Sequence, residues 1–191
     1  MKNLNDDDLI RFSQLGDMNA FQTLVEKYQN RAIWIAEKIL GNYEEARDIS
    51  QEAFIRVYRA LDTYKLGSNF YKWLYRIISN LCIDFLRKQK RQKKTINVEE
   101  TDELQASDIS VQEYFEKKEL EEELQMVLQK IPDTYRMILV LRDLEGFSCK
   151  EIEEILDCNY NTVRWRLFRA RQIFKDLWEK KQMKKNSNLN E

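Results

Sequence analysis

Lys72, Arg76, Asn80 and Arg87 recur at offsets of four, four and seven within NFYKWLYRIISNLCIDFLRKQKRQKK, residues 69–94. Tyr71 and Tyr75 flank them one helical turn apart. Cations interleaved with rings on one helix face suit a nucleic-acid strand whose bases are unstacked, because the cations hold phosphates and the rings receive bases. The same stretch read alone fits a buried amphipathic helix with a solvated lysine end equally well. A second basic group lies in NTVRWRLFRAR, residues 161–171, where Arg164, Arg166, Arg169 and Arg171 fall within eight residues. Each is within reach of a phosphate or a guanine edge. No catalytic set matches these two. The chain has no histidine, which excludes His-based triads and most zinc sites. Glu44, Glu45 and Glu52 could ligate a metal, but no His joins them and no ExxH occurs. No cofactor is expected.

These residues need helices to hold them, and the periodicity supplies helices throughout. In the first stretch Phe70, Trp73, Leu74, Ile77, Ile78, Leu81 and Phe85 repeat at helical spacing. Upstream, a short helix over residues 6–15 ends at Gly16. Asp17 caps a second helix that Gly41 stops, and Asn42 caps a third to about Leu61. Residues 63–69 form a loop turning at Gly67, after which Ser68 or Asn69 can cap the aromatic helix. Apolar periodicity lapses over residues 95–108, which mark a linker. Ser110 caps a further helix to Lys130, Pro132 occupies the first position of the next, and Gly146 breaks it. Ser148 then caps residues 149–156, a tight turn follows at residues 157–159, and the last helix spans residues 160–181. Ile152, Ile155 and Leu156 face Val163, Leu167 and Ala170 across that turn, the pattern of a helix-turn-helix whose second helix fits the major groove. An ordinary helical hairpin with a basic outer helix is the plainer reading of the same spacing.

The totals agree with helices. Four Gly and one Pro in 191 residues, with 34% charged and 43% apolar side chains, describe a helix-rich soluble chain. No apolar run is long enough to span a membrane, and the N-terminus has no apolar signal segment, so a cytoplasmic location is expected. Cys82, Cys149 and Cys158 are odd in number and read as reduced, buried thiols. The net charge of −1 conceals segregation: residues 88–94 carry +5, residues 95–126 carry two basic against eleven acidic side chains, and residues 161–185 carry nine basic against two acidic. Two basic segments around an acidic one imply two polyanion-contacting surfaces.

DISQEAF at residues 48–54, FxxWLxRIxxN about 16 residues later, and a C-terminal helix-turn-helix ending RxxRAR together resemble the bacterial RNA polymerase sigma factors, of the short extracytoplasmic-function (ECF) subfamily. The likeness covers about residues 7–90 and 112–181. It implies an all-α protein of two small helical domains, residues 1–94 and 112–185, joined by an acidic flexible linker at 95–111 and ending in a disordered tail at 186–191. It also implies promoter-directed initiation without enzymatic activity. Asp48, Gln51, Glu52 and Phe54 match positions that dock on the clamp coiled coil of core RNA polymerase, whose flap is a further contact. Residues 64–69 correspond to the loop that captures a flipped base. Tyr64, Lys65, Asn69, Lys72, Tyr75, Arg76, Asn80 and Arg87 are the implied contacts to the minus-ten element. Asn161, Thr162, Arg164, Trp165, Arg166, Arg169 and Arg171 are those to the minus-thirty-five element. The further partners implied are promoter DNA and an anti-sigma factor, with no membrane insertion.

The sequence departs from the family in places. Asn161 stands for a common Gly and still suits a cap. Trp165 and Phe168 stand where Ser and His are frequent. Glu153 replaces a small residue, for which looser packing is expected. The alternative function is a stand-alone helix-turn-helix regulator, in which DISQEAF and WLYRI have no role.

Overall fold

In the computed structural model, the backbone is described over residues 4–95 and 112–188 and the side chains over 4–92 and 119–185. Within these residues the fold is helical with no strand. The expected linker at 95–111, with Ser110, lies almost wholly outside them. Helices α1 (Asp6–Gln14), α2 (Met18–Leu40), α3 (Tyr43–Ala60) and α4 (Phe70–Thr95) form the N-terminal unit, with a 3-10 turn at Leu61–Thr63. The C-terminal unit holds α5 (Gln112–Gln129), α6 (Asp133–Leu139), α7 (Cys149–Leu156) and α8 (Tyr160–Asn188).

The caps act where the side chains can reach. Asp17 Oδ1 accepts from the Asn19 and Ala20 amides, Asn42 from Glu45, and Asn69 from Lys72. Gly41 ends α2 with φ +90°, a left-handed conformation that costs glycine little. Pro132 is the N-cap of α6 rather than its first residue, so its missing N–H is of no consequence there. Gly146 does not simply end that helix. Val140–Leu144 forms a π-helical turn that widens the backbone before Phe147. At the far end α8 continues to Asn188, so residues 186–188 of the expected tail are helical.

One apolar core runs through both units. Leu9, Ile10, Leu24, Ile35, Ile39, Val57, Leu74 and Ile78 fill the first, and Leu128, Ile131, Ile138, Leu141, Ile152, Ile155 and Val163 the second. Leu86 and Cys82 of α4 continue it. Burial pushes the Cys82 thiol up to about 12, only partly opposed by Arg136. Cys149 and Cys158 are half-buried rather than buried, and all three thiols are free.

Candidate nucleic-acid and polymerase interfaces

The minus-ten candidates divide by depth. Arg76, Asn80 and Arg87 stand exposed along α4, with Arg87 only 3.8 Å from Asp84 in a loose pair. Lys65 and Asn69 are exposed on the loop before it. Tyr64 and Tyr75 are buried, at 7% and 1% exposure. Tyr64 donates to the Ser68 carbonyl at 2.5 Å, and burial with Asp7 and Asp6 nearby pushes its hydroxyl pKa up to about 12. Its ring packs 5.0 Å from Trp73 and 6.0 Å from Phe70. A cleft of about 470 Å³ opens over this loop, lined by Tyr64, Lys65, Asn69, Lys72, Trp73 and Arg76 among others. The cations can hold a phosphate at its rim and Trp73 offers it an aromatic edge.

Tyr75 is buried by the C-terminal unit. Phe147, placed by the π turn, lies 5.4 Å from Tyr71 and 5.2 Å from Tyr75. Glu145, whose carboxylate has no exposed surface, accepts from the Tyr71 hydroxyl and stands 2.8 Å from Arg31 of α2. Arg31 also donates to the Leu144 carbonyl. Burial and Glu145 together raise the Tyr71 hydroxyl pKa, and burial raises that of Tyr75 further. Lys72, a minus-ten candidate, is paired at 2.6 Å with Glu154 of α7, which reaches into the cleft. Elsewhere Lys90 meets Asp133 at 2.6 Å, and Gln125 donates to the Glu37 carbonyl at the end of α2. In this arrangement Phe147 covers the Tyr75 ring and closes it to a ligand from outside.

On α8 the candidates are open. Asn161, Arg164, Trp165, Arg169 and Arg171 are exposed, Thr162 and Arg166 half-buried. Val163, Leu167 and Ala170 face inward, as the spacing requires. Trp165 is 59% and Phe168 63% exposed, so both large apolar side chains point off the unit. Arg171 differs from the rest, its fork closed on Asp143 at 2.5 and 2.9 Å, which raises its pKa. The turn is closed by residues other than those expected. Asn159 rather than Asn161 is the cap, its side-chain oxygen accepting from the Asn161 amide at 2.8 Å, and Glu153 accepts from the Tyr160 amide at 3.0 Å. Glu153 is therefore a brace for the start of α8 and not a packing defect. Ser148 and Glu151 form a reciprocal capping box at the start of α7, and the Ser148 hydroxyl and amide hold the Glu151 carboxyl below its usual range.

On α3 the docking candidates also separate. Asp48 and Gln51 are exposed, Glu52 pairs with Arg56 at 2.9 Å, and Phe54 is buried in the core at 7%. Ile55 and Tyr58 are exposed instead, at 45% and 46%, and the Tyr58 hydroxyl meets the sulfur of exposed Met18 at 3.4 Å. These were missed although a signal existed: Asp48, Gln51, Ile55 and Tyr58 follow one helical stripe at offsets of three, four and three. Glu145, Phe147 and Glu154 carried no such signal, since their partners are over 70 residues away.

Comparison with known proteins places this architecture. Residues 24–92 match Sigma-70 region 2 and residues 121–173 match Sigma-70, region 4. The ECF RNA polymerase sigma-E factor of Escherichia coli K12 is 36% identical over 179 residues, spanning 88% of this chain and 92% of that one. The ECF RNA polymerase sigma factor SigW of Bacillus subtilis is 34% identical over 167 residues, 84% and 89% of the two chains. In fold, the chain is similar to the sigma factor RpoE of Bartonella quintana, solved with the anti-sigma factor NepR. The TM-score is 0.67 at 19% identity, over 83% of this chain and 96% of that one. The chain belongs to the ECF family of RNA polymerase sigma factors. Its work is promoter-specific transcription initiation, and the stand-alone regulator is not favoured.

Proposed function

We propose that the chain binds core RNA polymerase through the α2–α3 surface, opens and captures the minus-ten element with α4 and the preceding loop, and reads the minus-thirty-five element with α8. The observation that carries this reading is the cleft over residues 64–69, where Lys65, Lys72 and Arg76 ring an aromatic wall. Opening a duplex costs roughly 1–2 kcal/mol per step in lost stacking. Capture of an unstacked base on such a wall returns about 1–3 kcal/mol. Exposed Ile55, Tyr58 and Met18, bordered by Asp48 and Gln51, suit a partner helix that is apolar along its middle and basic at its edges. The flap is the complementary contact for the C-terminal unit, and an anti-sigma factor is a further partner. The chain acts without catalysis of its own, in the cytoplasm. Among the described residues no helix is long and apolar enough to cross a membrane.

Reconstitution tests the reading. Purified chain added to core polymerase directs initiation at a restricted set of promoters, mapped by aligning sequences upstream of transcripts induced by overexpression. A chain that fails to bind core, or that binds DNA tightly and specifically without it, is not this kind of protein.

A further inference from the structure

Helix α1 lies outside the matched region 2 segment, yet it makes four long-range hydrogen bonds to the backbone around the cleft. The Asp7 carboxylate accepts the Gly67 amide on both oxygens, each at 3.1 Å. The Gln14 amide nitrogen donates to the Leu61 carbonyl at 2.9 Å and to the Tyr64 carbonyl at 3.2 Å. Gly67 sits at φ +82° with open space around it; the Ser68 amide closes the turn on the Lys65 carbonyl at 3.1 Å and the Tyr64 hydroxyl holds the Ser68 carbonyl, while the Asp7 carboxylate ties the tip to α1. Lys65, Leu66, Ser68 and Asn69 are all exposed. A six-residue loop so exposed would otherwise lose considerable backbone entropy when it closed on a ligand. The helix carrying the two brace residues is itself fastened independently, through Leu9 and Ile10 in the core and through Asp6 to Tyr28 and Lys27.

We propose that Asp7 and Gln14 are positioning residues for base capture: they hold the loop at residues 64–69 in its receiving shape before DNA arrives. The proposal rests on the base-capture reading given above. Asp7 grips the loop tip, and Gln14 fixes the entry and the Tyr64 backbone. Neither side chain lines the cleft, so neither touches the base. Their contribution is preorganisation, which strengthens capture of a base without altering phosphate contacts.

The test uses the full chain bound to core polymerase. The probe is the labelled non-template strand of a promoter mapped as above, intact or with one abasic site stepped through the minus-ten positions. In the wild type, one abasic position weakens binding by about tenfold, within the range for a lost base stack. Asp7→Ala and Gln14→Glu reduce that penalty to less than about twofold. Gln14→Glu keeps the side-chain size but removes the donor. Asp7→Asn retains an acceptor for Gly67 and restores most of the penalty. Throughout, affinity for core and the slope of log K against log salt stay at wild-type values, because the phosphate contacts are intact. Retention of the full penalty by both Asp7→Ala and Gln14→Glu overturns the brace. So does a salt slope or core affinity that falls in parallel, which marks general damage to the fold. A wild type with no abasic penalty at any position, while still bound to core, overturns the base-capture reading beneath it, a failure distinct from that of the brace alone.

Discussion

The two surfaces proposed to face DNA are built from similar residues and stand in opposite states. On α4 the rings are turned under another unit: Tyr75 is buried beneath Phe147, and Lys72 is neutralised by Glu154. On α8 Arg164, Trp165, Phe168 and Arg169 are exposed, with Arg164 over the Tyr160 ring, Trp165 beside Tyr135 and Arg169 donating to Gln172. Burial of aromatic surface drives the contact at α4, at roughly 25 cal/mol per Å². The cost is polar. The Tyr75 hydroxyl is enclosed without a hydrogen bond of ordinary geometry, and Glu145 depends on Arg31 and Tyr71. An enclosed hydroxyl left unpaired costs about 1–3 kcal/mol. The contact is thus held by apolar burial and weakened by its polar members, which suits a surface used for more than one partner. The α8 surface carries no such compromise because its side chains stand exposed and, among the described residues, enclose no unpaired polar group.

Substitutions rank this contrast. Phe147→Ala removes the ring that stacks on Tyr71 and meets Tyr75 edge-on, and should cost about 3–5 kcal/mol, read from the denaturant midpoint. Because one core runs through both units, the wild type should unfold in a single transition, and this variant should separate it into two. Arg31→Ala leaves the enclosed Glu145 carboxylate with Tyr71 alone. It should cost about 2 kcal/mol, discounted from the value for a fully buried pair because Arg31 is 45% exposed. A variant as stable as wild type would mean that the carboxylate is not confined.

Ser148→Ala should cost about 1 kcal/mol by removing the α7 capping box. Its pH dependence has a definite sign. The Glu151 carboxyl is held below its ordinary value in the folded state, so its stabilisation is present above the unfolded carboxylate range. It is lost as pH falls through the folded value. Melting curves across the acidic range should therefore converge for wild type and variant. Lys72→Ala should cost under about 1 kcal/mol, since Glu154 is 61% exposed. Arg164→Ala and Arg169→Ala should alter stability by no more than about 0.5 kcal/mol, yet each should lower the salt slope of promoter binding by about one. Equal effects of Arg171→Ala on that slope would show that its pairing with Asp143 opens on DNA.

Much of this was legible in the chain itself. The α7–α8 turn followed from Ser148, the apolar spacing and the absence of strand alternation, because capping and helical periodicity are local. The exposed arginines of α8 followed for the same reason. Local spacing could also have found Ile55 and Tyr58, which extend the stripe of Asp48 and Gln51. The same spacing sets Phe54 on the opposite, apolar stripe with Ala46, Ile49 and Val57, where it is buried, and only the family resemblance had grouped it with Asp48 and Gln51. The caps moved by two residues, from Asn161 to Asn159, since side-chain reach rather than residue type selects among adjacent asparagines.

From composition, periodicity and capping, the sequence alone established an all-helical chain, two basic surfaces separated by acid, and the residues eligible to touch DNA. The tertiary structure assigned those residues their states. Tyr75 is covered, Lys72 is paired, Arg76 is open, and the loop at residues 64–69 is tied to Asp7 and Gln14 of α1 from the other end of the unit. The reason is range: helix formation depends on neighbours within four residues, whereas these contacts join residues 47 to 82 positions apart, which no local pattern encodes.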